Sequence, residues 1–475
     1  MASNPDFQIE YEEFHNGLAP LAHLDKNTLL GNSGQASEMS RVDVISQPGV
    51  LKQGPGLSQL TNGNVDELIE FIMDRSINEG ESYGIGESKL YKLIPGEVVD
   101  DLDFPRDIPN CVEGESVIDL NGNLFYFYNK ETEGDIGTYE NFSSFNDTWG
   151  SNTDKPLQKA LHPTAKKEDI LVFGNGRYLG TYIEGLGILD TEKLDFGEGS
   201  EVADVVFHAN SWYIAVNSGA KGDNRNSSQI YMYDGSAISN LLTDEAAVGV
   251  QRIGFLFTFN GIIYVAYEDL TSDGYSIGYL TGRSIEPLRY FEGSLPTHKQ
   301  KTLYKNTILF NSGEDIYSCG ASVSSLPNQI SAIAKGEYET LGALAAPFGT
   351  PIIASKDSTS ASVDMFSGYT TESRWVSIAT RVTTGKMLGQ VDTLIVHTKP
   401  LQENSKCEIR VVGNEKEEES RWFEISGKGK KRHLIKSIDV HSVVDFNIEI
   451  KWEAGSETED CPIRNIIALG HYVEN

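Results

Sequence analysis

Cysteine is scarce in this 475-residue chain. Cys111, Cys319, Cys407 and Cys461 are the only four, and none stands in a CxxC pair or at metal-ligand spacing. A disulfide framework or a zinc module is thereby excluded as the organising device. The four are expected as reduced, partly buried thiols; the alternative is a Cys407–Cys461 pair, since both fall in one C-terminal domain. Basic residues are also few: 39 Lys and Arg against 69 Asp and Glu, a formal net charge of −30. That excess repels phosphates and excludes a sequence-reading nucleic-acid binder. No apolar run reaches the roughly 18 residues of a membrane-spanning helix, and no amphipathic pattern of period 3.6 runs far. The first residues lack the basic and apolar segments of a secretory leader, so the chain is expected to stay in the cytoplasm where it is made. The nine His are scattered without HxH or HxxxH pairs, and there is no GxSxG, P-loop or dinucleotide fingerprint. The string GNGRYLG (174–180) lies between two apolar runs and reads as a hairpin turn.

What is abundant is glycine (46), tyrosine (21) and phenylalanine (20), a mixture suited to short strands and tight turns. Residues 251–289 show the unit. Apolar runs at 253–259 and 262–267 flank Asn260-Gly261, a strong hairpin signal. A third run follows at 275–280, and a shorter one at 285–290. Three or four strands in about forty residues cannot bury their own faces and need neighbours of the same kind. Similar units centre on 121–123, 174–176, 209–211, 305–306 and 349–350, with an earlier copy at 67–93. A spacing of this size is that of propeller blades. The sequence therefore predicts an all-β chain with a six- or seven-bladed β-propeller-like domain over residues 58–367; the competing reading is an irregular sandwich of look-alike hairpins. Residues 66–74 fit a helical turn or a blade strand equally well.

After residue 367 the runs lengthen and alternate, as at 407–412 and 446–452. Seven or eight strands in residues 368–475 predict a jelly-roll-like antiparallel β-sandwich. Residues 1–57 are rich in turn residues yet keep Phe7, Ile9, Tyr11 and Phe14, which predicts an extended arm packed on its own domain or on a neighbouring subunit.

Residues 131–154 read as a long aromatic loop in which Tyr139, Phe142 and Trp149 are candidate contact residues. A second contact candidate is the basic cluster Lys428, Lys430, Lys431 and Arg432 beside Trp422, read either as one of two oppositely charged loops or as a patch for an acidic partner. Asp223, Asn224, Asp269 and Asp273 offer oxygen ligands that Ca²⁺ accepts, against ordinary turn chemistry as the default; no other cofactor is indicated. Arginines do not recur at matching blade positions, and SFNDTWG (144–150) lacks the Ser-x-Asp-x-Gly order of a sialidase Asp-box. No catalytic set emerges, and the chain is not expected to be an enzyme.

Residues 42–63 (VDVISQPGVLKQGPGLSQLTNG), turns such as YDG at 233–235 and the ending IRNIIALGHYVE (463–474) give a chain that resembles virion structural proteins of tailed bacteriophages. The resemblance implies a tail or tail-tip component, assembled in the bacterial cytoplasm and found in the virion. Its implied partners are other copies of itself, other virion proteins and a host-surface glycan. The alternatives are a lectin-like module, which expects exposed loop aromatics, and a propeller glycoside hydrolase, which expects carboxylates at the axis.

Overall fold

The computed structural model describes residues 5–12, 14, 23–25, 36–43, 50–60, 65–77, 80–150, 155–219, 228–242, 250–268, 274–305, 307–312, 315–319, 330–335, 340–357, 360–367, 372–383, 387–414, 418–453 and 461–474. Almost all of the regular structure is strand. Residues 56–367 form seven antiparallel sheets of four strands, the first with a fifth strand at its edge. They make a propeller-like ring whose blades follow the chain from Ile69–Ile72, the inner strand of blade one, to Ala361–Ser367 in blade seven. The ambiguous segment 66–74 is thus a blade strand.

Each blade starts from a hairpin whose turn the local residues dictate. Asn260 and Gly261 both take positive φ (48° and 77°), as do Asn121 and Gly122 and the pair Ala209 and Asn210. This twist matches that of the flanking strands. In blades two and three an aromatic ring of the second strand lies over a glycine of the third. A Cβ on Gly137 would sit 2.0 Å from the Tyr126 ring, and one on Gly180 would sit 2.3 Å from Phe173. Between blades the sheets pack face to face through apolar clusters such as Ile253, Leu256 and Val265 with Ala203, Ala215 and Ile230.

The ring closes where the inner strand Thr340–Ala345 of blade seven lies beside Ile69–Ile72. The outer strand of blade seven is supplied from the other end of the domain. Gly56–Gln59 pairs antiparallel with Ala361–Ser367, Leu57 opposite Phe366.

Of the other described strands, Val42–Asp43 and Lys52–Gln53 pair in a small sheet of their own, and most of the rest form two sheets around one core. One has the order Phe7–Tyr11, Ile463–Glu474, Met387–Thr398, Arg432–Val443. In the other, Asp445–Glu453 is central, flanked by Glu372–Ser377 and Ala379–Arg381 on one side and by Lys406–Gly413 on the other; Phe423–Ser426 then pairs with Lys406–Gly413. Ala36–Ser40 extends this sheet beside Glu372–Ser377, and His23–Asp25 runs parallel to Ala379–Arg381.

The described strands of residues 1–57 pack on their own chain: Phe7–Tyr11, His23–Asp25 and Ala36–Ser40 join the C-terminal sheets, Gly56–Gln59 joins blade seven, and Val42–Asp43 pairs with Lys52–Gln53. The reason is apolar: Phe7, Ile9, Tyr11 and Phe14 are all buried. The Tyr11 hydroxyl lies 2.6 Å from Thr380 Oγ1, and the Phe14 ring meets Trp375 edge-on at 5.3 Å. Gly470 leaves the space that Phe7 fills, since a Cβ there would lie 2.3 Å from the Phe7 ring. The same core continues into the ring, taking in Leu309 and Ile316 of blade six and Leu344, Ile353 and Phe366 of blade seven. Cys407 and Cys461 lie buried in it with their sulfurs 3.3 Å apart.

Candidate functional site at the propeller axis

The innermost strand of a blade is a sheet edge, so its outward backbone N–H and C=O groups have no strand partner. Where such groups are buried they must be satisfied by other means. Here charged side chains do it. Asp204, on Ser200–His208 of blade four, accepts from the backbone N–H of Leu256 (2.6 Å) and from its own neighbour Val205 (2.8 Å). Lys301, at the start of blade six, pairs with Asp204 and donates to the Leu256 carbonyl at 2.6 Å. Asp74, just beyond the inner strand of blade one, accepts from the Ala346 N–H of blade seven (2.7 Å) and from the Thr302 hydroxyl of blade six. Lys299 donates to the Gly114 carbonyl at 2.8 Å and to Glu115 at 3.3 Å, with Glu70 3.7 Å away. Asp119 of blade two is held between Arg75 and Lys166, which come from blades one and three.

These ties surround a cavity of about 460 Å³. It is lined by inner-strand residues of six blades, among them Phe71, Lys166, Asp204, Phe257, Lys301 and Leu344. Burial shifts the groups around it towards neutrality. The Asp74 carboxyl is raised to about 6 and that of Glu115 to about 8. Burial raises Asp204 and lowers Lys301. For Lys299 burial opposes the charge, but Glu115, Glu70 and Glu113 outweigh it and hold the pKa above its ordinary value. Two buried imidazoles complete the site. His298 donates from Nε2 to the Glu115 carbonyl at 3.1 Å, and its Nδ1 has no hydrogen-bond partner. His162 donates from Nδ1 to the Gly174 carbonyl at 2.8 Å, and burial lowers its pKa to about 4.

The residues singled out from sequence lie elsewhere. Residues 131–154 are not one long loop: Gly134–Glu140 and Ser144–Asn146 are the third and fourth strands of blade two. Tyr139 is buried there, stacked on Phe145 at 4.1 Å, and Phe142 packs on Tyr83 and Tyr139. Trp149 meets Phe125 and Tyr182 edge-on, at the seam of blades two and three. The three aromatics fasten blades together instead of forming an exposed face. Trp422 lies half-buried on the C-terminal sheets between the Arg410 guanidinium and the Lys451 ammonium, each 4.7 Å from its ring. Lys428, Lys430, Lys431 and Arg432 are exposed at one edge of that unit; Lys428 pairs with Glu403 at 3.0 Å. The calcium candidates Asp223, Asn224, Asp269 and Asp273 lie outside the described residues. Among the described residues no group of three or more His, Cys, Asp or Glu is placed to hold a metal, and no helix is long and apolar enough to cross a membrane.

Sequence reading missed the axial groups. Their signal is a single charge inside an otherwise apolar inner strand, as in Val-Ile-Asp119-Leu and Val-Ala-Asp204-Val-Val.

No family model and no curated protein matches the chain. Solved structures similar to it are distant. One is the extracellular domain of a putative hybrid two-component system from B. thetaiotaomicron, with 8% identity and a TM-score of 0.46, covering 80% of this chain and 47% of that one. The chain thus spans about half the length of that protein. Another is the N-terminal domain of Nup159, with 9% identity and a TM-score of 0.41, covering 69% of this chain and 96% of that domain. A third is the calcium-binding protein regucalcin from Agrobacterium tumefaciens, with 11% identity and a TM-score of 0.35, covering 55% of this chain and 91% of the other.

Proposed function

We propose that the chain is a contact-making structural component of a tailed-phage particle, in the tail or its tip. The observation that carries this reading is the distribution of charge. Residues 1–367 hold 24 Lys and Arg against 52 Asp and Glu, whereas residues 368–475 hold 15 against 17. The near-neutral part presents its exposed basic run, Lys428 to Arg432, with Leu434 half exposed beside it. A strongly acidic body with a basic edge is suited to ordered, repeated contact between copies or with other acidic proteins of an assembly. The axial carboxylates support the same reading over that of a glycoside hydrolase. Asp74 and Asp204 are each engaged by donors from two other blades, which suits a strut better than an acid–base pair.

We also read the C-terminal unit as a jelly roll. The strand orders given above match the two four-stranded sheets of that fold when Phe7–Tyr11 is taken as its first strand, with the propeller inserted before the second.

Light scattering of the purified chain across a salt series tests the contact reading. Self-association at low salt that is lost in Lys430→Glu/Lys431→Glu is expected. A monomer at all concentrations, together with absence of the chain from purified particles by mass spectrometry, would sink the proposal.

A further inference from the structure

The sheet that holds Phe7–Tyr11 carries an apolar row on the face turned away from the core. Ile395 lies directly opposite Ile467 on one side and Leu434 on the other. Residues paired in this way share a face. The residues that alternate with them, Leu394, Val396, Ile466 and Ile435, are buried in the core, so the row points outward. Ile395 and Ile467 are half-buried and Leu434 is 53% exposed. Arg432 and Lys436 stand exposed on either side of Leu434 along its strand.

The propeller holds a feature of the opposite sign. Leu102 is fully exposed, among the exposed side chains of Asp100, Asp101 and Asp103. Its turn is closed and anchored. The Asp101 N–H donates to the Phe104 carbonyl at 2.8 Å, and Asp101 Oδ1 accepts from the N–H groups of Asp103 and Phe104. Phe104 is buried against Tyr83 and Tyr139. Leu102 is thus held out in solvent by an ordered turn instead of folding back on its own blade.

We infer that these two features meet between copies of the chain. The turn 100–104 of one copy docks, Leu102 first, on the row Ile467, Ile395, Leu434 of a second copy, its carboxylates towards Arg432 and Lys436. The inference rests on the contact-making reading above and gives that contact a geometry. A leucine among carboxylates complements an apolar row flanked by cations, and like charges disfavour turn against turn or row against row. An ordered turn also has little conformational freedom to lose on docking. Because the two surfaces differ, the contact runs head to tail, and its repetition makes rings or filaments. A single turn buries little area, so the assembly depends on the repeat.

Sedimentation velocity of the full chain at low salt tests the inference with Leu102→Asp and Leu434→Asp. Both positions are exposed, and the melting temperature should be unaltered in each variant. Each alone should associate about tenfold more weakly than the unaltered chain, or worse, in keeping with the loss of one buried leucine contact. Mixed, the two should form one-to-one dimers and nothing larger, because each keeps the half that the other lacks. Association of either variant that matches the unaltered chain, or variants that fail alone and also fail when mixed, would overturn the inference and leave the contact-making reading in place. An unaltered chain that stays monomeric at every concentration would remove both.

Discussion

The propeller axis and the C-terminal core are solved by opposite means. At the axis, the inner strands of the blades converge with their edges inward, and the contacts that join them are ion pairs and charge-assisted hydrogen bonds to backbone groups. In the C-terminal unit two sheets face each other over Trp375, Trp452, Phe446 and Ile450, all essentially inaccessible to solvent. Faces of sheets can be held by non-directional burial. Edges cannot, because each buried N–H or C=O left unpaired costs on the order of 1–3 kcal/mol. The axis therefore needs directional partners that reach from blade to blade, and long charged side chains supply them.

The sharpest way to break this contrast is to remove residues 1–57. That takes the edge strand from one C-terminal sheet and the first half, Gly56 and Leu57, of the outer strand of blade seven. Loss of soluble, cooperatively folding chain is expected by calorimetry; a truncated chain that melts like the intact one would show that these strands add little to the C-terminal core. Next in size is Lys301→Met, which leaves Asp204 buried without its counter-charge. A cost of about 3–5 kcal/mol in chemical denaturation is expected. Lys301→Met/Asp204→Leu should recover part of it, and additive losses would show that the pair is not coupled. Trp375→Ala probes the opposite principle and should cost about 3–5 kcal/mol through its cavity, with no dependence on salt or pH.

A smaller effect separates the two regions by pH. Glu115 has its folded pKa raised to about 8 from an ordinary 4.5, so the native state holds a proton that the unfolded state has released. Its contribution is full below about pH 4.5 and is lost as pH rises through 8. His162 runs the other way: lowered to about 4, it contributes fully above pH 6.5 and loses that as pH falls through 4. Melting temperature should thus decline between pH 6.5 and 9, and Glu115→Gln should flatten the decline. An unchanged slope in that variant would remove Glu115 as its source.

The blades were legible because their signals are local. Asn260-Gly261 and Asn121-Gly122 announce hairpins without reference to anything distant. Near residue 367 Ala361–Ser367 is the last strand of the ring and Glu372–Ser377 the next in the chain. The axis was not legible, because a lone Asp204 or Lys301 gains meaning only when four or more other strands are brought to it. The partners of Phe7–Tyr11 and Gly56–Gln59 were hidden for a related reason. Period-2 alternation in Phe7, Ile9 and Tyr11 says that one face is buried, but not against which strand. Aromatic content misled in residues 131–150, where Tyr139 packs on Tyr83 of blade one and Trp149 on Tyr182 of blade three.

The pairing of Phe7–Tyr11 with Ile463–Glu474 also sets an order of events at the ribosome. Phe7–Tyr11 is made long before its partner Ile463–Glu474, and Gly56–Gln59 must wait for Ala361–Ser367. During synthesis both segments are unpaired edges, one of them carrying Phe7, Ile9 and Tyr11, while blades one to six can form one after another. Such long-range closure is slow and leaves strands open to mispairing. Nascent chains stalled before residue 463 should therefore hold a protease-sensitive segment at residues 7–11, and emergence of Ile463–Glu474 should be the step that locks it.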